Sequence, residues 1–444
     1  MAEWLMYRYT GSNANGTPIR PKTASTEAKQ WDLTTTDALG RTISGASSTS
    51  SPVPTPGNSM DITRGSISSS STQSTKEDST ILSNPFVLRH GRRYLRDLPY
   101  PLPCDLPELQ RQNLHTLLAT SLLGRPLGST PSPRNPPTRV LEIACGSGYW
   151  SSLCHEYLSG LGFEDVSFTG LDIAPLAGDL RKQGIDWRFV QHDLRKVPLP
   201  FDDGEFDIVV MKDLSMVVPV KASERILDEA TRILKSGGTL EIWETDHIIR
   251  SILPHPPPLP GQNADERAVS TKTFLISPIT PFTEVHNKYL QDSNTWIQEA
   301  VGRRKLTPTP CSRVTEMLLH EPDTLRDMGY RRVAIPLGEL RWEREAAAER
   351  NPSKRRSSET AKGKKGSAGH DSTLTEEQAA LRYTALLVVI QMIESLEPLL
   401  KEVSGKNQEE WQRWWGWMMT NLLEQKGASN GECLEVGVWW AHKV

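Results

Sequence analysis

Short apolar runs recur in the middle of the chain, and each closes on a polar or acidic position. Runs of this length between polar stretches are typical of buried β-strands. The segments between them carry apolar side chains at helical spacing, most clearly residues 223–235, for which Ser223 is the candidate N-cap and Gly237 follows the last turn. Strands that alternate with helices predict a parallel sheet covered by helices on both faces. The predicted strands are residues 140–143, 168–172, 187–193, 206–213 and 238–244.

A second block of periodic sequence lies toward the carboxyl end. Two amphipathic helices are predicted after residues 327–336. The first helix opens with a capping box at Thr373 and is bent or ended by Pro398, and the second opens with a capping box at Asn407. Residues 433–440 alternate like a further strand, which we expect to lie antiparallel at the edge of the sheet.

Three tryptophans of the last predicted helix, Trp411, Trp414 and Trp415, repeat at helical spacing. Packing of an amphipathic helix on a sheet predicts this stripe, and we favour that interpretation. The alternative is an aromatic wall of an acceptor pocket, which could also hold a cation. Trp417 faces away from the stripe and is the candidate for contact with a substrate or a partner.

The first predicted strand ends in a Gly-x-Gly turn formed by Gly146 and Gly148. Glycine lacks Cβ, so this backbone can adopt positive φ and let a ligand approach closely. The helix that follows would point free N–H groups at that ligand. A dinucleotide fingerprint needs a third glycine where Ser151 stands, and no phosphate-loop lysine follows. The turn therefore predicts a nucleotide-like ligand without identifying it.

Acidic side chains stand within or just after the predicted strands. Glu142 lies in the first strand, and Asp172, Asp193 and Asp213 close the next three. Asp172 follows the glycine turn at roughly the spacing, about 20 residues, that a βαβ unit gives to its ribose-binding acid. Because ligands of parallel sheets bind beyond the carboxyl ends of the strands, we expect these acids to line one crevice.

Together these motifs resemble those of class I S-adenosylmethionine-dependent methyltransferases. Residues 142–148 look like the first motif of that family, Asp172 like its ribose-binding acid and residues 191–193 like its adenine-side acid. Residues 234–240 match the turn before the fifth strand, with Ser236 where proline is usual. The resemblance implies an α/β fold with a seven-stranded, mostly parallel Rossmann-like sheet, helices on both faces, an antiparallel last strand and a helical cap. It also implies S-adenosylmethionine as the cofactor.

The resemblance also implies roles for individual residues. Asp172 would accept hydrogen bonds from the ribose hydroxyls, Asp193 from the adenine amine, and Glu142 would face the amino group of the methionine part. Asp172 and Asp193 could instead cap helices, and Glu142 could form a salt bridge. The predicted cofactor-binding residues are Glu142, Ala144, Gly146, Gly148, Asp172, Ile173, His192, Asp193, Leu194 and Lys212.

Two residues are candidates for catalysis, Asp213 and His247, each just past a predicted strand. A sulfonium methyl is already activated, so the enzyme chiefly aligns an acceptor lone pair with the S–CH₃ bond at about 3 Å. His247 could deprotonate a hydroxyl or amine acceptor, although a histidine at a strand end is commonly a surface or hydrogen-bonded residue. The acceptor, a small molecule or a protein side chain, carries no motif that the sequence decodes.

A narrower resemblance leaves a rival function open. Residues 92–94, 100–105 and 108–115 look like the lead-in of fungal methyltransferases that include a regulator of secondary metabolism. The rival is a regulatory protein that keeps the cofactor fold and works through protein partners with little catalysis. An NAD(P)-dependent oxidoreductase is a distant third, because Ser151 replaces the third glycine.

The composition restricts the binding partners and the cellular location that we expect. The formal net charge of -3 gives no general attraction to nucleic acid or to anionic membranes. The five cysteines are scattered, so we expect no disulfide framework and no metal site. The longest apolar run is far shorter than the roughly 20 residues of a membrane span, and the first residues do not resemble a secretory signal. We expect a cytoplasmic protein, or a nuclear one if its basic clusters are localisation signals.

Three segments fall outside the predicted fold. Residues 1–85 are rich in Ser and Thr and are predicted to be disordered, which leaves residues 86–444 as the methyltransferase domain. Insertions are predicted at about 252–325, with a proline-rich loop and helices, and at 344–372, a disordered basic linker. The proline-rich loop is a stiff excursion or an SH3 or WW ligand, and the linker is solvated chain or a localisation signal. We expect the acceptor cap to comprise the lead-in helix and both insertions.

Overall fold

The computed structural model describes residues 82–254, 265–350 and 372–444. The predictions for residues 1–81, for most of the proline-rich loop at 255–264 and for the basic clusters at 351–371 lie outside these residues.

Strands and helices alternate through the central part of the described chain. The strands are β1 (Phe86–Arg89), β2 (Arg92–Leu95), β3 (Arg139–Ile143), β4 (Ser167–Asp172), β5 (Asp186–Gln191), β6 (Phe206–Lys212), β7 (Leu234–Thr245), β8 (Arg250–Ile252), β9 (Phe274–Leu275), β10 (Phe282–Thr283), β11 (Leu325–Pro336) and β12 (Glu432–Lys443). The α-helices are α1 (Leu106–Leu123), α2 (Tyr149–Gly160), α3 (Val220–Ile233), α4 (Glu266–Thr271), α5 (Lys288–Gly302), α6 (Val314–Leu319), α7 (Arg341–Arg350), α8 (Glu376–Ser395), α9 (Glu397–Ser404) and α10 (Gln408–Met419).

A single ten-stranded sheet organises these elements, in the order β10-β8-β12-β7-β6-β3-β4-β5, with β11 paired to β12 and β9 paired to β11. Strands β5, β4, β3, β6 and β7 run parallel, whereas β12 is antiparallel to both β7 and β11. The mixed, mostly parallel sheet confirms the predicted fold class. Three short strands, β8, β9 and β10, extend it beyond the seven that we expected.

Both faces of the sheet are buried, because successive side chains of a strand point to opposite faces. Val140 of β3 packs with side chains of α1, α2 and α8 on one face. Its neighbour Leu141 packs on the other face with side chains of α3 and α6. This arrangement explains the nearly continuous apolar runs of the parallel strands.

The predicted edge position of the last strand is wrong. Strand β12 lies inside the sheet, where Val436 pairs with Thr245 of β7 on one side and with Val333 of β11 on the other. All of its residues from Glu432 to Trp439 are buried. Alternation along a sequence shows which face a side chain occupies, but it does not show how many neighbouring strands the backbone has.

Two predicted helix starts are also wrong. Ser223 lies inside α3, which begins at Val220, and its hydroxyl donates to the carbonyl of Val220 at 2.7 Å. Helix α8 is capped by Thr375 rather than Thr373, because Thr375 and Gln378 exchange the reciprocal hydrogen bonds of a capping box. Both threonines precede the same apolar stripe, so spacing alone did not distinguish them.

The carboxyl-terminal helices otherwise follow the prediction. Helices α8 and α9 meet at a bend of 66°, with Pro398 in the first turn of α9. The capping box at Asn407 is present at the start of α10. Trp411 and Trp414 of α10 are buried, whereas Trp417 is 57% exposed, which agrees with packing as the role of the stripe. Within the described ranges no single helix has the length and apolarity to cross a membrane, and only the bent α8–α9 pair meets these criteria jointly.

Candidate active site

Two adjoining clefts open at the carboxyl ends of the central strands, where the strand order reverses. The glycine-side cleft is lined by Gly146 and Asp172, among others, and the histidine-side cleft by His115 and His247. They enclose about 740 and 660 Å³ of empty space, open mouths included. Each is large enough for a small-molecule ligand. The residues that line both clefts and form their common wall are Tyr100, Gln112, Ala144 and Val217.

The turn after β3 shapes the glycine-side cleft through its backbone. Ala144, Gly146 and Gly148 all have positive φ, at 57°, 51° and 72°. A Cβ at Gly148 would lie 3.1 Å from a methyl carbon of Leu180, so this glycine is needed for packing as well as for its dihedral angle. A Cβ at Gly146 would lie 3.5 Å from the side-chain oxygen of Gln112, which is an ordinary contact distance. Glycine is therefore needed there for its backbone conformation. The turn lets α2 begin at the floor of the cleft.

Asp172 closes β4 and is fixed by the main chain. Its carboxylate accepts from the N–H of Gly146 at 2.8 Å and from the N–H of Ala174 at 3.3 Å. Burial raises the pKa of Asp172, and these backbone donors oppose that shift. No α-helix begins directly after β4, so the alternative that Asp172 caps a helix is wrong.

The far end of the glycine-side cleft combines apolar and acidic groups. Ile173 and Leu194 line it, as does Asp193, whose carboxylate forms a 2.7 Å ion pair with Arg195. No α-helix starts after β5 either, so Asp193 is not a helix cap. The ring of His192 lies 2.9 Å from the carbonyl oxygen of Lys196. His192 lines neither cleft, whereas Ile173, Asp193 and Leu194 line the glycine-side cleft.

Glu142 lies beneath the clefts rather than in them. It is 2% exposed and accepts from the hydroxyl of Ser151 at 2.6 Å. Burial raises its pKa to about 7, against the effect of the serine hydrogen bond. Ser151 stands where a dinucleotide fingerprint would have its third glycine, so this position is used to hold the buried carboxyl group.

Lys212 and Asp213 belong to the histidine-side cleft. The ammonium of Lys212 lies 2.7 Å from the Asp213 carboxylate, and Nδ1 of His115 lies 3.4 Å from it. Burial alone would raise the pKa of Asp213, but the charges of Lys212 and His115 outweigh it and hold the pKa well below its usual range. The Asp213 carboxylate is already engaged by both Lys212 and His115, which argues against Asp213 as a proton acceptor.

His247 forms part of the opposite wall and is 7% exposed. Its backbone N–H donates to the carbonyl of Pro308 at 2.8 Å, and its Nδ1 lies 3.3 Å from the sulfur of Met392. The other ring nitrogen, Nε2, is buried without a hydrogen-bond partner among the described residues. Burial lowers the pKa of His247 to about 4, so the ring is neutral at physiological pH.

Several lining residues were missed by the sequence predictions. Helix α1 contributes Arg111, Gln112 and His115, which follow the buried Glu108 on one helical face. Arg111 and Glu108 form a 2.6 Å ion pair, and Nε2 of His115 lies 2.7 Å from the hydroxyl of Thr245. Charged residues three apart on a face that otherwise packs inward are the signal that could have identified them.

The cap of the histidine-side cleft differs from the prediction in one respect. The lead-in helix α1 contributes to it as expected, but the other wall comes from α8 through Val388, Val389 and Met392. No described residue of the predicted insertion at 252–325 lines either cleft, so that part of the predicted cap is wrong.

A buried acidic cluster lies behind the histidine-side cleft. Ligand atoms of Asp246, Cys311 and Glu435 lie within 4.8 Å of one another, which is close enough to hold a metal ion. However, Arg250 pairs with both carboxylates, Arg332 pairs with Glu435 at 2.5 Å, and Asp246 accepts from the backbone N–H of Cys311. Two guanidinium groups already balance the negative charge, so this cluster joins the strands as a structural ion-pair network.

Comparisons with known proteins agree with this geometry. Residues 140–238 match the family model described as a methyltransferase domain. A phthiotriol/phenolphthiotriol dimycocerosates methyltransferase of Mycobacterium tuberculosis is 33% identical over 165 residues, 35% of this chain and 53% of that protein. The secondary metabolism regulator laeA of Aspergillus niger is 33% identical over 95 residues, 20% of this chain and 23% of that protein.

Among solved structures, a phosphoethanolamine N-methyltransferase of Haemonchus contortus, in complex with phosphomonomethylethanolamine and S-adenosylhomocysteine, is 13% identical. The alignment covers 75% of this chain and 53% of that one, with a TM-score of 0.32. The match of residues 140–238 to a methyltransferase domain agrees with the predicted cofactor, S-adenosylmethionine. The chain spans about half the length of the mycobacterial relatives that it matches.

Proposed function

We propose that the protein is an S-adenosylmethionine-dependent methyltransferase that binds its cofactor in the glycine-side cleft and a small-molecule acceptor in the histidine-side cleft. The observation that carries this proposal is the wall shared by the two clefts at Ala144 and Gln112. A methyl group can pass between two ligands only if they meet directly, and adjoining clefts with a common wall allow this contact.

The residues of the glycine-side cleft suit a nucleoside with a cationic amino acid part. A carboxylate has about four lone-pair positions. The N–H groups of Gly146 and Ala174 occupy two of those on Asp172 and the N–H of Ile173 interacts with the same carboxylate, so the remaining capacity would serve the ribose hydroxyls. Ile173 and Leu194 would pack against the adenine ring, and Asp193 would accept from its amine. Glu142 would act from beneath, by holding the start of α2 through Ser151.

When bound, S-adenosylmethionine would supply a sulfonium-activated methyl group, which an acceptor lone pair would take in line as the carbon–sulfur bond breaks. The chain then has to position the acceptor and exclude water, which is the main source of rate acceleration in such a transfer. Tyr100 and Gln112 stand at the junction of the clefts and are joined by a 2.9 Å hydrogen bond, so they would fix the acceptor relative to the cofactor. Asp213, held as an anion by Lys212, would shape the field of the site without removing a proton.

Calorimetric titration of the full chain with S-adenosylmethionine tests the cofactor site. Asp172→Ala should weaken binding on the order of tenfold or more, because the ribose hydroxyls lose their acceptor. Asp179→Ala is the matched control, since Asp179 is an exposed acid of the segment after β4 and should change nothing. Equal affinity of wild type and Asp172→Ala would overturn the assignment of the cleft.

Catalysis is tested separately, by incubating the protein with cell extract and radiolabelled S-adenosylmethionine. Transfer of label to an acceptor supports an enzyme. Binding of the cofactor without transfer to any fraction would favour the regulatory protein that the similarity to laeA suggests, although that similarity covers 20% of the chain. The cytoplasmic or nuclear location and a protein partner stay predictions.

A further inference from the structure

We propose that the acceptor is a neutral, largely apolar small molecule with a hydroxyl group, and that Nε2 of His247 accepts the proton of that hydroxyl. This inference rests on the proposed methyltransferase function and names its substrate class. It follows from the hydrogen-bonding state of His247, from the charge balance of the histidine-side cleft and from the apolar wall opposite.

The neighbour of His247 determines which ring nitrogen carries the proton. Nδ1 lies 3.3 Å from the thioether sulfur of Met392, and a thioether can only accept a hydrogen bond. We therefore infer that Nδ1 is the N–H donor, which leaves Nε2 with a bare lone pair in the neutral ring. Nε2 has no partner among the described residues although the side chain is 93% buried, and His247 lines the cleft. A buried acceptor of this kind is matched by a ligand that donates an O–H.

Charge balance excludes strongly charged acceptors. Each charged side chain that lines the histidine-side cleft has a partner of opposite sign, and Asp213 is shared between Lys212 and the ring of His115. Arg111 pairs with Glu108 at 2.6 Å, Lys212 with Asp213 at 2.7 Å, and Asp246 with Arg250 at 3.0 Å. An anionic or cationic acceptor would enter this buried space without a counter-charge, at a large desolvation cost.

The remaining wall is apolar and comes from three parts of the chain. Met216 follows β6, Val388 and Met392 lie on α8, and Leu434 lies on β12. All four side chains are buried in the described structure. A hydrocarbon or aromatic body would pack here while its hydroxyl reaches the polar side of the cleft.

The proposed step balances in atoms and charge. A lone pair of the acceptor oxygen forms the new bond to the methyl carbon as the carbon–sulfur bond breaks, and S-adenosylhomocysteine leaves with the electron pair. The hydroxyl proton passes to Nε2 of His247. The Asp213 carboxylate favours the resulting imidazolium, whereas burial, Arg111 and His115 oppose it, so the proton is readily released afterwards.

Histidine ¹⁵N NMR of the full-length protein tests the tautomer without any knowledge of the substrate. The expected spectrum of His247 shows a protonated Nδ1 and a bare Nε2 at neutral pH. Met392→Leu keeps the volume of the side chain but removes the sulfur, so it should populate the Nε2–H form. A wild-type ring that carries its proton on Nε2 would overturn the proposal.

Binding of matched probes tests the substrate class. With S-adenosylhomocysteine present, a panel of neutral phenols such as 4-phenylphenol should bind on the order of tenfold more tightly than their methyl counterparts such as 4-methylbiphenyl. His247→Phe should abolish this preference while leaving cofactor affinity unchanged. His320→Phe, a change at an exposed histidine, is the control and should retain the preference. Absence of a hydroxyl preference across the panel, or tighter binding of 4-phenylbenzoate, would contradict the proposal.

The labelled extract provides a second readout. We expect the label in a neutral, organic-soluble product. This product should resist mild alkali, as an ether does and a methyl ester does not. Label in protein or in a charged product would overturn the substrate class while leaving the methyltransferase function intact. If the wild-type protein did not bind the cofactor, the proposed function would be contradicted. The ¹⁵N spectrum would still report the tautomer of His247.

Discussion

The two clefts share a wall but are built in different ways. The glycine-side cleft depends on the backbone, with three positive-φ residues after β3 and an aspartate held by main-chain N–H groups. The histidine-side cleft depends on side chains that come from α1, the end of β7 and α8, which are far apart in the sequence. The glycine-side cleft can therefore keep its ligand when the side chains of the histidine-side cleft are replaced, because such replacements leave the backbone of the turn in place.

The largest effect should come from breaking the ion pair that supports the histidine-side cleft. Glu108 is fully buried and binds Arg111 and the hydroxyl of Ser395. Glu108→Ala leaves a buried guanidinium without its partner, so the free energy of unfolding should fall by about 3–5 kcal/mol. Urea denaturation measures this loss.

Two further variants check the cause of that loss. Glu108→Leu combined with Arg111→Met removes both charges and should recover most of the stability, because no charge then remains buried alone. Glu402→Ala removes a surface ion pair with Arg303 and should cost at most about 1 kcal/mol. A double variant as unstable as Glu108→Ala would show that the loss does not arise from an unpaired charge.

A buried carboxyl group below the histidine-side cleft should make stability depend on pH. Burial and the charge of Asp213 raise the pKa of Glu244 from its usual 4.5 to about 8, against hydrogen bonds from Ser215. The folded protein therefore favours the protonated form, and this contribution is complete below pH 4.5 and lost as pH rises to about 8. Relative to Glu244→Gln, the wild type should lose about 1.4 kcal/mol of unfolding free energy for each pH unit of this window in denaturation experiments. A constant difference between the two proteins would contradict the raised pKa.

A change at the glycine turn should affect mainly the other cleft. Gly146→Val forces a β-branched residue into a φ of 51°, which should cost about 1–2 kcal/mol and disturb the cofactor turn. We expect at least tenfold weaker binding of S-adenosylmethionine in calorimetry, with the tautomer of His247 unchanged. Gly178→Val is the matched control, because a Cβ there meets no atom within 4 Å and φ is not positive. Similar affinities of the two variants would argue against the backbone as the basis of the site.

The smallest effect is expected at Trp417, which lies outside both clefts and has the buried Trp414 as its comparison. Trp417 is 57% exposed, so Trp417→Ala should change the free energy of unfolding by less than about 0.5 kcal/mol. Trp414 packs against Trp296 and Trp411 and donates to Asp292, so Trp414→Ala should cost about 3–5 kcal/mol. Reduced methyl transfer in a stably folded Trp417→Ala protein would instead indicate contact with a substrate.

The difference between the two clefts also explains how much of each could be predicted from the sequence. The glycine turn and Asp172 belong to one strand–helix–strand unit, and their spacing predicted the fold and placed both at the carboxyl ends of the strands, where the glycine-side cleft lies. The histidine-side cleft depends on contacts such as the hydrogen bond between Glu108 and Ser395, which are 287 residues apart. No local pattern records which distant helix will cover a strand end, so His247 was identified as a candidate while Met392 was missed.

Errors at single positions have equally local causes. His192 and Asp193 follow the same strand, yet only Asp193 lines the glycine-side cleft. The two side chains diverge because successive residues of extended chain point in opposite directions. The position of β12 was mispredicted because its partners, β7 and β11, are chosen by the tertiary fold.

The central position of β12 also affects how the chain is made. A ribosome releases β7 198 residues before β12 and β11 107 residues before it, counted between their midpoints in the printed sequence. One edge of β7 and one edge of β11 cannot pair until residues 432–443 emerge, so both edges stay open over these intervals. Such edges invite pairing with other chains, and we expect the nascent protein to be prone to aggregation until β12 has been made.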